Sequence, residues 1–297
     1  MNRQPRGAEV GWTIVKLLKW ASAYFEGKDI DSPRATAELL LADVLGLARL
    51  ELYLQFDRPL SKAELAAFKT RVKRRVAGEP VAYIVGRKGF WKSEFSVSPA
   101  VLIPRPDTEL LLEKTLCLLP ENADARVLEL GTGSGALILS AAMERPGAIC
   151  FASDISPVAA AQAKANATAF GLTQRVSFVV GHWLDPFCRP QAPFDLILSN
   201  PPYIPTSDIE ALQPEIKKYE PPGALDGGRD GLDCLRHIIA EANHHLKPGG
   251  YLLLEMGFDQ RESVAGIIGS FGFYEDVRFF DDYGGNNRVV VARKISP

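Results

Sequence analysis

From about residue 105 onward the chain alternates short apolar runs with helix-like stretches, and this alternation constrains the fold more than any other feature. Arg126–Leu130 is apolar and stops at Gly131. Ala136–Met143 is helical in character. Ile149–Ser153 is a second apolar run and stops at Asp154. Ala159–Phe170 is alanine-rich and closed by Gly171, and Val176–Val180 and Phe194–Ser199 are further strand-like runs. Leu232–Leu246 reads as a helix, followed by Pro248-Gly249-Gly250 and a strand over Tyr251–Glu255. Strands joined by helical crossovers predict a parallel sheet with helices on both faces. Glu275–Phe280 and Arg288–Ala292, flanking Gly284-Gly285, predict an antiparallel pair at its edge.

The first 80 residues lack this alternation and read as a small helical bundle. Ser32-Pro33 predicts an N-cap with proline in the first turn, continued by the run from Ala35. Ser61 with Glu64 is a capping-box pattern, and Leu65, Phe68, Val72 and Val76 then recur on one helical face, with Gly78 as the stop. Val81, Tyr83 and Val85, followed by Phe90, Trp91, Phe95 and Val97 among glycines, predict a β-hairpin. The expected organisation is a helical domain over 1–80, a hairpin linker over 81–104 and an α/β domain over 105–297.

Charge narrows the function classes. Lys and Arg number 34 against 36 Asp and Glu, a net −2. Residues 1–80 carry +4 and the remainder −6, so neither part has the strongly basic balance of a dedicated nucleic-acid binder. Lys69, Arg71, Lys73, Arg74 and Arg75 read as the solvated face of a helix, with a partner-contacting patch as the alternative. The four cysteines, Cys117, Cys150, Cys188 and Cys234, show no metal-binding or redox spacing. No apolar run approaches the roughly 20 residues needed to cross a bilayer, and no signal-peptide pattern opens the chain. A protein of the reducing cytoplasm, with structural thiols, is expected.

Glu129-Leu130-Gly131-Thr132-Gly133-Ser134-Gly135 follows the first strand of the α/β region and opens a helix. Such glycines let a ligand approach the backbone closely. Asp154, at the end of the next strand and 19 residues beyond Gly135, is placed to accept hydrogen bonds from ribose hydroxyls. Gly131-x-Gly133-x-x-Ala136 also satisfies the dinucleotide fingerprint. The loop therefore predicts a nucleoside cofactor without deciding between NAD and S-adenosylmethionine.

Asn200-Pro201-Pro202-Tyr203 follows the strand Phe194–Ser199. Two prolines fix the backbone and remove two donors, leaving carbonyls exposed to a ligand. Asn200 adds an amide oxygen and Tyr203 a flat aromatic face. This is a site for a planar group bearing NH₂, with one hydrogen on the Asn200 side-chain oxygen and the other on the Pro201 carbonyl. An amide nitrogen is a poor nucleophile because its lone pair is delocalised. Accepting both hydrogens turns that lone pair towards a methyl donor. Orientation and preorganised acceptors supply the catalysis.

With those residues the sequence resembles class I S-adenosylmethionine-dependent methyltransferases bearing an Asn-Pro-Pro-Tyr motif, and more narrowly the PrmC/HemK family of protein-(glutamine-N5) methyltransferases. The narrower resemblance rests on Gly78-Glu79-Pro80-Val81-Ala82-Tyr83-Ile84, Gly89-Phe90-Trp91, Leu102-Ile103-Pro104-Arg105-Pro106-Asp107-Thr108-Glu109 and Ala224-Leu225-Asp226-Gly227-Gly228-x-Asp230-Gly231-Leu232. It implies an α/β, Rossmann-like methyltransferase domain behind a helical bundle and hairpin linker. Gly131, Thr132, Gly133, Ser134 and Gly135 would hold the methionine part of S-adenosyl-L-methionine, and Asp154 the ribose. Trp183 would border the adenine. Asn200 would touch both cofactor and substrate, and Asn200, Pro201, Pro202 and Tyr203 would bind the substrate glutamine, with Asn200, Pro201 and Tyr203 catalytic. The family often has Asp where this chain has Glu129, which would still face the cofactor. The implied product is S-adenosyl-L-homocysteine. The implied partner is a peptide chain release factor, met by a cytoplasmic monomer without metal, nucleic acid or membrane.

Three rivals remain at this level. An adenine-N6 nucleic-acid methyltransferase would present the same planar NH₂, but predicts a basic recognition domain. A non-catalytic binding module has no use for an intact Asn-Pro-Pro-Tyr. An NAD oxidoreductase fits the glycine loop, but no His or Lys acid–base motif accompanies it. His182, beside Trp183, has no evident carboxylate partner and no expected catalytic role.

Overall fold

The computed structural model describes residues 11–122, 124–187 and 193–296, and the chain divides after Gly86 into two units. The first is helical: α1 (Ile14–Glu26), α2 (Pro33–Leu45), α3 (Arg49–Leu54), α4 (Lys62–Val76) and α5 (Val81–Val85). Ile14, Leu17, Phe25, Leu40, Leu41 and Phe68 make its core. α4 begins as the capping-box pattern predicts: Glu64 N–H donates to Ser61 Oγ (3.2 Å) and Ser61 N–H to Glu64 Oε2 (2.7 Å). Phe68 and Val72 are buried, with Leu65 and Val76 packed beside them.

Three expectations fail here. Ser32 sits in the left-handed region and its side chain caps nothing, so α2 starts from Pro33 alone. Val81–Val85 is a helical turn, not strand: Tyr83 and Ile84 are buried, Ile84 in the core of the helical unit, and Gly86 ends it at φ +74°. Tertiary burial there overrides the strand preference of β-branched residues. The basic run is not a uniformly solvated face either. Lys69 and Lys73 are exposed, but Arg71 pairs with Asp43 at 2.7 Å, Arg74 with Glu79 at 2.5 Å, and Arg75 is buried.

The second unit opens with a hairpin, β1 (Arg87–Phe90) and β2 (Ser93–Ser96), paired antiparallel. The hairpin belongs to this unit: Asn166 binds both backbone groups of Ser96, and the Trp91 indole donates to Glu144 at 2.9 Å. The sheet is formed by β3 (Arg126–Leu130), β4 (Ile149–Asp154), β5 (Val176–Val180), β6 (Phe194–Ser199), β7 (Leu246–Glu255), β8 (Tyr274–Asp281) and β9 (Asn287–Lys294) in the order β5-β4-β3-β6-β7-β9-β8. The five strands from β5 to β7 are parallel; β9 enters antiparallel, with β8 outside it.

Alternate residues of each central strand face opposite layers. Val127, Leu196, Leu198 and Leu253 point into one core, with α6 (Thr108–Leu118), α7 (Ala136–Glu144) and α8 (Pro157–Ala169). Leu128, Leu130, Ile197, Leu252 and Leu254 point into the other, with α10 (Asp233–Ala242) and α11 (Arg261–Phe271). Between β6 and α10 lies the short α9 (Pro214–Tyr219). The helix expected to run to Leu246 ends at Ala242, and β7 already begins at Leu246. Cys150 is buried and Cys117 exposed, while Cys188 lies outside the described residues. Among the described residues no helix is long and apolar enough to cross a membrane.

Candidate active site

Strand register gathers the predicted residues. Leu130 pairs with Ser153 on one side and Ser199 on the other, and Ser199 pairs with Leu254. Gly131, Asp154, Asn200 and Glu255 therefore leave the sheet at one level. β3 connects outward to β4, while its other neighbour is β6. That reversal is the switch point where open α/β sheets bind ligands.

The glycine loop is tied down by its backbone. The N–H groups of Gly131 and Thr132 both donate to the Ser153 carbonyl, at 2.9 and 3.0 Å. Gly135 has φ +79°, and a Cβ there would lie 3.0 Å from Ala163 Cβ and 3.1 Å from Leu139, so only glycine lets α7 start this close to α8. A Cβ on Gly131 would meet the Trp183 ring at 3.4 Å. Asn166 also donates to the Ser134 carbonyl at 2.8 Å, linking hairpin and loop.

Glu129 is fully buried. Its Oε2 accepts from the Thr132 hydroxyl (2.5 Å) and Ile138 N–H (3.3 Å), yet burial pushes its carboxyl up to about 8. Asp154 accepts Gly133 N–H (2.8 Å) and Ser156 N–H (2.9 Å), one on each oxygen, and burial raises its pKa. A carboxylate has about four acceptor positions, so two remain for a ligand. Trp183 lies against the glycine loop and the sheet core. His182 does have a carboxylate neighbour, Asp185, at 3.7 Å, but both side chains are exposed.

Asn200–Tyr203 is braced from behind. Ile204 N–H donates to the Leu225 carbonyl and Gly227 N–H to the Ile204 carbonyl, at 3.1 and 2.8 Å. A Cβ on Gly227 would lie 2.7 Å from Tyr203 Cα, and one on Gly231 2.4 Å from the Tyr203 carbonyl. Gln260 Nε2 donates to that same carbonyl at 3.0 Å. The glycines of the Ala224–Leu232 segment are thus the surface on which the Asn-Pro-Pro-Tyr backbone rests.

Two clefts share Leu102, Arg105 and Asn200. One, about 430 Å³, is lined by Gly131, Thr132, Ser134, Glu129 and Thr108. The other, about 530 Å³, is lined by Pro201, Tyr203, Ile204, Leu212 and Ile216. Among the described residues, nothing donates to Asn200 Oδ1 or to the Pro201 carbonyl.

Sequence reasoning missed several neighbours. Asn200 Nδ2 donates to Thr108 Oγ1 at 3.0 Å, and the Tyr203 hydroxyl donates to Glu255 Oε1 at 3.2 Å. Glu255 is fully buried; burial pushes its carboxyl up to about 7, against the Thr108 hydroxyl, the Arg288 charge and the Tyr203 hydroxyl, which pull it down. Glu255 Oε2 meets no donor at full hydrogen-bond geometry. Arg105 pairs with buried Glu220 at 2.6 Å. The available signal was Glu255 itself, an acid closing the apolar run Leu252–Leu254 just as Asp154 closes β4.

This sheet order, glycine loop and strand-end acid define the fold of class I S-adenosylmethionine-dependent methyltransferases. The methyltransferase-domain family matches residues 121–264 and the PrmC N-terminal domain family residues 16–86. The chain is 44% identical to the release factor glutamine methyltransferase of Geobacter sulfurreducens, over 95% of this chain and 97% of that one. It is 42% identical to that of Rhodospirillum rubrum, over 96% and 86%. A methyltransferase structure from Pyrococcus furiosus shares the fold at 20% identity and a TM-score of 0.51, covering 76% of this chain and 99% of that one. The chain belongs to the release factor glutamine methyltransferase family.

Proposed function

We propose that the chain transfers a methyl group from S-adenosylmethionine to the side-chain amide nitrogen (N5) of the glutamine in the Gly-Gly-Gln motif of peptide chain release factors. One observation carries the reading beyond family membership: Asn200 lines both clefts, with a free amide oxygen beside the free Pro201 carbonyl. The cleft at the glycine loop suits the methionine part of the cofactor, held by Gly131, Thr132, Gly133, Ser134 and Gly135, with Glu129 beneath them. Asp154 has two acceptor positions for ribose hydroxyls, and the Trp183 ring offers an adenine a flat wall.

The bound cofactor supplies a methyl group on a positively charged sulfur. Asn200 Oδ1 and the Pro201 carbonyl accept the two amide hydrogens of the glutamine, and Tyr203 and Pro202 wall its plane. Held so, the nitrogen lone pair leaves conjugation and lies along the line of transfer. The N–C bond forms as the S–C bond breaks, and the nitrogen, made acidic by alkylation, gives one proton to solvent. No strong base is needed, and the barrier falls through orientation and fixed acceptors. Residues 1–80 recognise the protein substrate and take no part in the chemistry.

The test incubates full-length protein with methyl-labelled S-adenosylmethionine and purified release factor, then locates the label by mass spectrometry. Label on the Gly-Gly-Gln glutamine is expected. Label elsewhere, or none, overturns the reading.

A further inference from the structure

Neither catalytic-loop side chain is held by its own loop. Asn200 reaches Thr108 at the start of α6, and Tyr203 reaches Glu255 at the end of β7. We infer that Thr108 and Glu255 are positioning residues that set which face of the Asn200 amide meets the substrate, through the chain Asn200 N–H to Thr108 hydroxyl to Glu255 carboxylate, with Tyr203 donating to the same carboxylate. This rests on the glutamine methyl-transfer reading and adds to it the groups that enforce its geometry.

Donor and acceptor counts fix the direction. A threonine hydroxyl has one proton and two lone pairs. Glu255 Oε2 is buried without a closed hydrogen bond, and the Thr108 hydroxyl interacts with this carboxylate. A buried acceptor left unmet is costly, so the hydroxyl proton goes to Glu255. Only the oxygen of Thr108 is then left for Asn200, and only the NH₂ of Asn200 can use it. The amide is therefore not free to flip, and Oδ1 is the atom turned to the cleft. An inverted amide would present two hydrogens to the substrate's own NH₂ and repel it.

The same carboxylate anchors Tyr203. Beside its ring face Tyr203 thus has a tethered hydroxyl, and losing that hydroxyl leaves Glu255 with one donor fewer. Arg288 and Asp107 also face Glu255, and Arg288 pairs with Asp107 at 3.4 Å and Asp282 at 3.1 Å. The arrangement works with the carboxylate unprotonated, since a protonated Glu255 would offer a donor where Thr108 needs an acceptor.

The experiment compares full-length wild type, Thr108→Val, Thr108→Ser, Glu255→Gln and Tyr203→Phe in single-turnover methylation of release factor from pH 5.5 to 9. The Asn200 side-chain NH₂ is followed by NMR with S-adenosylhomocysteine bound. Thr108→Val should lower kcat about tenfold to a hundredfold, by analogy with outer-shell groups that orient metal ligands. Cofactor affinity should stay near wild type, and Thr108→Ser should restore kcat. Glu255→Gln puts an NH₂ against Thr108, so kcat should fall and the acid limb near pH 7 should vanish; Tyr203→Phe should fall several-fold. The Asn200 NH₂ should exchange faster than in wild type in Thr108→Val and in Glu255→Gln, and stay as in wild type in Thr108→Ser. Wild-type kcat in Thr108→Val, or failure of Thr108→Ser to rescue it, overturns the inference. A wild type that methylates no release factor sinks the function reading instead, and the Asn200 NMR signal then still decides whether Thr108 fixes the amide.

Discussion

Glu38 in the helical unit and the strand-linked acids Glu129 and Glu255 in the α/β unit are buried in opposite ways. In the helical unit Glu38 is 1% exposed and surrounded by partners: Arg34 and Arg49 pair with it, and the Tyr53 hydroxyl donates to it. Despite the cost of burial, these bonds hold its pKa below the usual value. In the α/β unit Glu129 and Glu255 are equally buried, and burial wins, leaving them at about 8 and about 7. A helix can place cations a turn away or on a neighbouring helix. At Glu255 the Arg288 charge pulls the pKa down but does not outweigh burial. Strong perturbation of an acid in a cleft marks a candidate functional site. The contrast separates a unit built for stability from one that gives up stability at its site.

The largest expected effect is the pH dependence of that contrast. Glu129 faces Thr132, Ile138 N–H and Asp154; Glu255 faces Thr108, Tyr203, Arg288 and Asp107. Both pKa values are raised on folding, so the folded unit binds more protons than the unfolded chain between about 4.5 and 7–8. Stability of the α/β unit should thus fall as pH rises through that window, by up to about 1.4 kcal/mol per pH unit for each carboxyl. Glu38 has the opposite sign: its contribution is present above 4.5 and lost as pH falls through its lowered value. Two of the four tryptophans lie in each unit, Trp12 and Trp20 against Trp91 and Trp183. Urea unfolding followed by ¹⁹F-tryptophan NMR at pH 4, 6 and 8 reads them separately. Parallel trends in both would break the comparison.

Next in size, Asn200→Ala should lower kcat about 100-fold or more, as for loss of one preorganised partner at the transition state, while cofactor affinity changes little. Calorimetry and single-turnover rates separate the two. A change confined to affinity would move Asn200 from the chemistry to the cofactor. Asp154→Ala should weaken S-adenosylmethionine binding by about 1.5–3 kcal/mol, the scale of a hydrogen bond to a charged group. Unchanged affinity would leave Asp154 as a brace for Gly133 and Ser156 alone.

The α/β unit was readable in sequence because its signals are local. A strand, its terminal acid or glycine and the following helix lie within some twenty residues, and Asn200–Tyr203 is contiguous. What was not readable is long-range. Thr108 and Asn200 are 92 positions apart, and Tyr203 and Glu255 are 52 apart; only the strand order brings them together. Thr108 stands inside the Leu102–Glu109 segment without a role legible in sequence, because a role needed the partner. Val81–Val85 failed for the same reason, since five residues carry too little periodicity to outvote the core they pack into.

The smallest effect tests the helical unit's own economy. Ser61 and Glu64 exchange two hydrogen bonds at the start of α4, both at the surface. Ser61→Ala removes the acceptor for Glu64 N–H and should cost about 1 kcal/mol, whereas Ser61→Gly should cost only a few tenths, because glycine is tolerated at an N-cap. The loss should appear in the Trp20 resonance during urea unfolding. The Trp183 resonance and turnover of a short Gly-Gly-Gln peptide should be unchanged, since both bonds at Ser61 lie within the helical unit. If Trp183 shifts its midpoint together with Trp20, the units unfold as one, and the stability of the first is part of the site's own support.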